Sequence, residues 1–153
     1  MILENIRSAH NVGSVFRTAD GAGVSKIFLV GYTPTPTDRF GRTQPEIAKT
    51  SLGASEEIPW EHTTSITEVI DGLHKSGVQI TAVEQAKESI SLAQFVAPEN
   101  IAYILGNEVD GVSSEALSAV DLVVEIPMLG TKESLNVSVT AGIVLYHDVV
   151  YKK

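Results

Sequence analysis

The chain has 153 residues, 43% of them hydrophobic and 20% charged, and no cysteine. That composition excludes disordered, collagen-like and coiled-coil classes, and it leaves no disulfide, thiolate zinc site or cysteine nucleophile. Eleven Lys and Arg against nineteen Asp and Glu give a net charge of −8, which taken alone argues against a nucleic-acid partner. The charge is unevenly spread, however. Residues 1–50 carry six cations and four anions, and all four arginines (Arg7, Arg17, Arg39 and Arg42) fall there. Arginine grips phosphate bidentately, so this confinement marks a candidate anion-binding region that the total conceals.

In chain order, Ile2–Leu3 opens a short strand. Val12, Val15, Phe16, Ala19 and Ala22 then follow the spacing of an amphipathic helix that ends at Gly21 or Gly23. Lys26–Val30 reads as a buried strand, and 31–45, with Pro34, Pro36, Gly41 and Pro45, as a long irregular loop of the kind that is usually functional or mobile. Ile66, Val69, Ile70 and Leu73 mark a helix stopping at Gly77, followed by strand Val78–Val83 and a short helical piece at Leu92–Phe95. Ile101–Leu105 is a strand, Ser113–Val120 a helix, Leu122–Ile126 a strand, and Leu135 to about Val150 the closing helix, with Lys152 and Lys153 at its negative end. Alternating strands and helices predict an α/β fold, a mostly parallel sheet with helices on both faces, in one domain spanning 1–153. Its ligands should sit beyond the carboxyl ends of the strands. The uncharged stretch 134–147 is too short and too polar to span a bilayer, and without a cationic segment before an apolar run at the start a signal peptide is not expected. With the missing cysteines, a cytoplasmic protein without a membrane partner is expected.

The common α/β signatures fail in turn. Gly21-Ala-Gly23 is followed by Lys26 where a dinucleotide fingerprint needs its third glycine, and no phosphate-loop sequence occurs. Gly53-Ala-Ser55 and Gly111-Val-Ser113 lack the second glycine of a nucleophile elbow, and the four histidines have no metal-type spacing, so no metal is expected. Chemistry must use backbone, carboxylate, amide and arginine.

Three polar segments remain where strands end and helices begin: Asn5-Ile-Arg7-Ser-Ala-His-Asn11-Val-Gly13-Ser-Val-Phe-Arg17, Ile104-Leu-Gly106-Asn-Glu108-Val-Asp-Gly111-Val-Ser113, and Ile126-Pro-Met128-Leu-Gly-Thr-Lys-Glu-Ser134-Leu-Asn136-Val-Ser138. In this order and at these separations they resemble the three motifs of the SpoU (TrmH-type) RNA ribose 2′-O-methyltransferases, within the SPOUT superfamily. Lys49-Thr-Ser-Leu-Gly53-Ala and Ile58-Pro-Trp60-Glu extend the likeness over nearly the whole chain, and Thr140 departs from it where the family usually has alanine. The resemblance implies a deep trefoil knot with loops 105–111 and 126–135, S-adenosylmethionine (SAM) bound in the knot, and a homodimer with the closing helix at its interface. The sequence also departs from the family in beginning almost at the first motif, where most relatives carry extra residues upstream and some a separate RNA-binding domain, so a single methyltransferase domain without that extra domain is expected.

Transfer of a methyl group to a ribose 2′-hydroxyl of tRNA or rRNA is then the expected activity. Such a hydroxyl is a weak acid and a poor nucleophile, so it needs orientation and stabilisation of developing negative charge. Arg17 matches the family's catalytic arginine and is expected to stabilise charge and position phosphate, with the general-base role proposed for the family as the alternative; its guanidinium is expected to reach over the spot left open by Gly13 one turn earlier. Asn11 is expected both to cap its helix and to contact substrate. Glu108 should order the knot, and Ser134 and Asn136 should cap the closing helix and direct donors toward ribose or cofactor. Leu105, Gly106, Ile126, Met128, Ser134, Leu135 and Asn136 are the implied SAM-binding positions, and Arg7, Arg17, Arg39 and Arg42 the implied RNA contacts. Two other readings fit the residues: a SAM- or RNA-binding module without turnover, and, more weakly, a flavodoxin-like nucleotide-binding domain.

Overall fold

A computed structural model describes residues 1–151; Lys152 and Lys153, expected to complement the closing helix's negative end, lie outside the described residues. The strands are β1 (Ile2–Glu4), β2 (Ile27–Val30), β3 (Trp60–Thr63), β4 (Gln79–Val83), β5 (Ile90–Ser91), β6 (Ile101–Leu105) and β7 (Leu122–Glu125). The helices are α1 (Ala9–Gly21), α2 (Pro45–Ser51), α3 (Ala54–Glu57), α4 (Ile66–Lys75), α5 (Ser114–Ala119) and α6 (Val137–Tyr151). The seven strands form one sheet in the order β3-β2-β1-β6-β4-β7-β5, and every pairing is parallel. The α/β sheet expected from the alternation is therefore present.

A parallel sheet needs cover on both faces, and strand alternation divides the core accordingly. On one side Leu3, Tyr103 and Leu105 pack with Val12, Phe16, Ile47 and Val144, from α1, α2 and α6. On the other, Ile2 and Ile104 pack with Ile66, Ile70 and Ala116, from α4 and α5. Neighbouring residues of β1 and β6 thus face opposite cores, as the two-residue period of a strand requires.

Four elements escaped the sequence reading. Helix α2 starts at the last residue of the expected irregular loop, with Pro45 in its first turn, where a missing N–H costs nothing. Edge strand β3 is polar and half exposed, β5 is only two residues long and α3 only four; none carries enough apolar pattern to be seen. The closing helix begins at Val137, two residues later than expected.

The late strands are inserted inward. β6 lies between β1 and β4, and β7 between β4 and β5. The carboxyl ends of β4, β6 and β7 are consequently neighbours, and the segments leaving them converge at one end of the sheet.

Candidate active site

Segments 83–85, 105–112 and 126–137 enclose a cavity of about 500 Å³, a size that falls within the roughly 300–1,000 Å³ of cofactor pockets. Leu105, Gly106, Ile126, Met128, Ser134 and Leu135 line it, together with Glu84, Asn107, Val137 and Thr140. Six of the seven positions assigned to a cofactor by resemblance are thus brought together. The seventh, Asn136, stands beside them and faces α1.

Gly106 shows why the wall is built as it is. A β-carbon there would overlap the Gly111 carbonyl and the Val112 nitrogen. The close approach is held by reciprocal backbone hydrogen bonds, Asn107 N to Gly111 O at 3.0 Å and Gly111 N to Asn107 O at 2.9 Å. Gly111, at φ 71°, adopts the left-handed conformation this reversal needs.

Carboxylates fasten the same loop by accepting from backbone N–H groups. Glu84 takes Val112 N at 2.9 Å and Gln85 N at 2.9 Å. Glu4, buried at the end of β1, takes Ser113 N at 3.0 Å and the Ser113 hydroxyl at 2.6 Å. Neither glutamate was identified from the sequence, because a lone Glu after an apolar strand carries no spacing signal. Ser113 also caps α5 by accepting from Ala116 N at 3.1 Å. Ser113→Ala removes the cap and one donor to a buried carboxylate, so thermal denaturation should show a loss of about 1–3 kcal/mol.

Glu108 reaches across to the first motif. Its carboxylate accepts from Arg7 N at 3.0 Å and Ser8 N at 3.3 Å. Asn11 in turn accepts from the Asn136 amide at 3.2 Å, and Asn136 Oδ1 accepts from Ser138 N at 2.9 Å and the Ser138 hydroxyl at 2.7 Å. One hydrogen-bonded line therefore joins all three motifs and fixes which way each amide points. Partial burial pushes the Glu108 pKa up, but the N–H donors of Arg7, Glu108 itself and Ser8 and the Asn11 amide outweigh it and hold the group below the usual carboxylate range. A lowered folded-state pKa stabilises the protein above the unfolded value, and this contribution disappears as acid protonates the folded group. Melting temperature measured against pH should therefore fall less steeply on the acid side in Glu108→Gln than in the wild type.

Several expectations are corrected here. Asn11 does not cap α1; Ser8 does, accepting from Asn11 N at 3.2 Å, and the Asn11 side chain is left free to accept from Asn136. Asn136 supplies the first N–H acceptor of α6, while Ser134 lines the cavity and takes no part in capping. Gly13 does not clear a spot for Arg17. A β-carbon at Gly13 would overlap Thr50 and approach Ile47 O at 2.6 Å, so the glycine exists to let α2 dock.

Arg17 lies outside the cavity. It is exposed and borders a second cleft of about 350 Å³ with Asp20, Leu52, Gly53, Glu56 and Glu57. Six residues after Asn11, it projects about 120° around the helix from that side chain. Among the described residues it forms no ion pair, with Asp20 or any other carboxylate. Arg7 is exposed at the edge of the cluster, its backbone N–H held by Glu108. Arg39 and Arg42 stand apart on the loop between β2 and α2, where Arg42 Nε bonds Asp38 at 2.7 Å. No group of three or more metal-ligating side chains occurs among the described residues.

An all-parallel sheet whose carboxyl ends enclose a cavity lined by two tightly turned loops, with the three motifs hydrogen-bonded beside it, defines a SpoU-type domain. The model of the SpoU rRNA methylase family matches residues 1–146, and the chain belongs to that family. It is 34% identical over 145 residues to the 23S rRNA (guanosine-2′-O-)-methyltransferase RlmB of Neisseria meningitidis serogroup B, a match covering 95% of this chain and 55% of the relative. Among solved structures it resembles the AdoMet-bound rRNA methyltransferase of Sinorhizobium meliloti, with a TM-score of 0.87 and 27% identity over 98% of this chain and 55% of that one. It also resembles the TrmH/SpoU tRNA modifying enzyme of A. aeolicus, with a TM-score of 0.83 and 26% identity over 96% of this chain and 71% of that one. The chain spans about half the length of the curated relatives it matches.

Proposed function

We propose that residues 1–153 form one SpoU-type methyltransferase domain that transfers a methyl group from SAM to a ribose 2′-hydroxyl of rRNA or tRNA. The observation that carries this reading is the set of hydrogen bonds that joins the three motifs beside the cavity, from Arg7 N and Ser8 N to Glu108 and from the Asn136 amide to Asn11, between residues up to 125 positions apart in sequence. The AdoMet-bound relative and the rRNA and tRNA enzymes among the matches support the cofactor and the substrate class.

The cavity fits SAM in size and in kind. Leu105, Ile126 and Leu135 offer apolar walls, and Gly106 brings main chain to the surface with no side chain between. When bound, SAM supplies an electrophilic methyl group on a positively charged sulfur. The protein's own residues hold and orient the ribose. Asn11 and Asn136, their amide orientations fixed, sit where α1 and α6 meet beside the cavity. Glu108 is a poor proton acceptor at neutral pH, because its pKa is lowered and its oxygens are engaged. Arg17 offers a planar fork of five N–H donors and no acceptor. Its role is to stabilise the negative charge that develops on the 2′-oxygen and to position phosphate.

Within one chain Arg17 faces away from the cavity, a separation that a site shared between two copies would remove. We therefore include a homodimer in the proposal. It is supported by α6, which buries Val137, Ala141, Val144 and Leu145 yet leaves Val139 (49% exposed), Ile143 (37%) and Tyr146 (44%) on its outer side. A helix apolar all round is one that has two surfaces to bury. A trefoil knot with loops 105–111 and 126–135 is also part of the proposal. It is supported by the insertion of β6 and β7 between strands laid down earlier, and by the return of α6 onto α1. Among the described residues no helix is long and apolar enough to cross a membrane; a cytoplasmic location is part of the proposal, supported by the rRNA and tRNA enzymes among the matches.

Isothermal titration with SAM tests the cofactor: heat of binding is expected, and none at millimolar SAM would sink the proposal. Transfer of label from SAM to total RNA then separates the enzyme from a binding module without turnover.

A further inference from the structure

The loop between β2 and α2 ends in a tip that neither the core nor the cavity requires. Phe40 is 67% exposed there, a large ring left in water on a protein that has only four phenylalanines. The Arg39 guanidinium lies 4.7 Å and the Arg42 guanidinium 5.2 Å from the ring centroid. The tip is also built to hold its shape. Asp38 accepts from Phe40 N at 2.8 Å, Arg42 N at 3.0 Å and Arg42 Nε at 2.7 Å, and its own N–H donates to Arg42 O at 3.0 Å. Gly41, at φ 76°, makes the reversal, and Thr37 and Thr43 pair across the base. A loop of this kind keeps Phe40 presented instead of folding it away.

We propose that this tip is a stacking platform for an unpaired nucleobase, so that the protein engages RNA at a single-stranded segment. The inference rests on the RNA-directed reading above. Every nucleobase offers a flat face to an aromatic ring, and base–aromatic stacking outweighs an exposed cation–π contact. A base therefore displaces a guanidinium from the ring, and the freed group is left beside the phosphate that accompanies the base. Arg42 keeps its position through Nε and Asp38 while its two Nη groups remain available to phosphate. A duplex buries its base faces and offers Phe40 nothing to stack on. The tip thus gives an acidic protein a way to hold RNA that depends on ring contact as well as on charge.

Fluorescence anisotropy across a salt series tests this, using a short labelled oligoribonucleotide presented single-stranded and as a duplex. Phe40→Leu should weaken single-strand binding about 5- to 150-fold, leave duplex binding nearly unchanged, and keep the salt slope of the wild type, since no charge is lost. Phe40→Trp should restore binding. Arg39→Ala and Arg42→Ala should each make the slope shallower by roughly 0.7. Wild-type affinity in Phe40→Leu, or an equal loss on both RNAs, would overturn the platform while leaving the RNA-directed reading intact. Absence of RNA binding by the wild type would overturn that reading itself.

Discussion

Arg17→Ala is expected to cut methyl transfer by about 10²–10³-fold, the usual cost of removing one donor to a developing oxyanion, while SAM affinity stays near that of the wild type. The separation follows from geometry. Arg17 lines a different cleft from the residues assigned to the cofactor, and α1 turns it away from Asn11. Stability should change little, because the side chain is exposed and forms no ion pair among the described residues. Arg17→Lys retains the charge but loses the planar fork, so it should recover only part of the rate. Single-turnover transfer measured beside SAM titration reads both quantities. An equal loss in rate and cofactor affinity would refute the role given to Arg17.

Gly106→Ala is expected to abolish SAM binding, with affinity down at least about 100-fold, and to cost about 1–3 kcal/mol or more of stability through overpacking. The added carbon would meet backbone on Gly111 and Val112. That backbone cannot withdraw, because Asn107 holds Gly111 from one side and Glu84 holds Val112 N from the other. The wall of the cavity must move instead. Gly130→Ala provides the contrast: nothing lies within 4 Å of a carbon added there, so its melting temperature should match the wild type. Cofactor titration and melting of the two variants side by side distinguish a packed wall from a tolerant loop.

The frame of this fold was legible because buried strands and amphipathic helices advertise themselves. Ile101–Leu105 and the helix through Val12, Val15 and Phe16 stand where their periodicity puts them. The cavity positions were legible only through the motif resemblance; Gly106, Ile126 and Leu135 look like ordinary core residues by themselves. What stayed hidden depends on contacts distant in sequence. Asparagine is a good cap in general, so Asn11 was given that task, yet Ser8 sits at the residue where the backbone turns into the helix. Gly13 reads as space for a ligand until α2 is seen to occupy it. Glu4 and Glu84 serve backbone donors more than 25 residues away, and no local pattern announces such a partner. These contacts also explain part of the acidity. Glu4, Glu84 and Glu108 act as acceptors for loop backbone at this end of the sheet.

The position of the transferred methyl group tests the central claim most directly. RNA incubated with the protein and isotopically labelled SAM is digested to nucleosides and analysed by mass spectrometry, with fragmentation separating base from sugar. Label is expected on the ribose of one nucleoside species and should disappear with Arg17→Ala. Label on the base, or unlabelled RNA despite measurable SAM binding, would contradict a ribose 2′-O-methyltransferase.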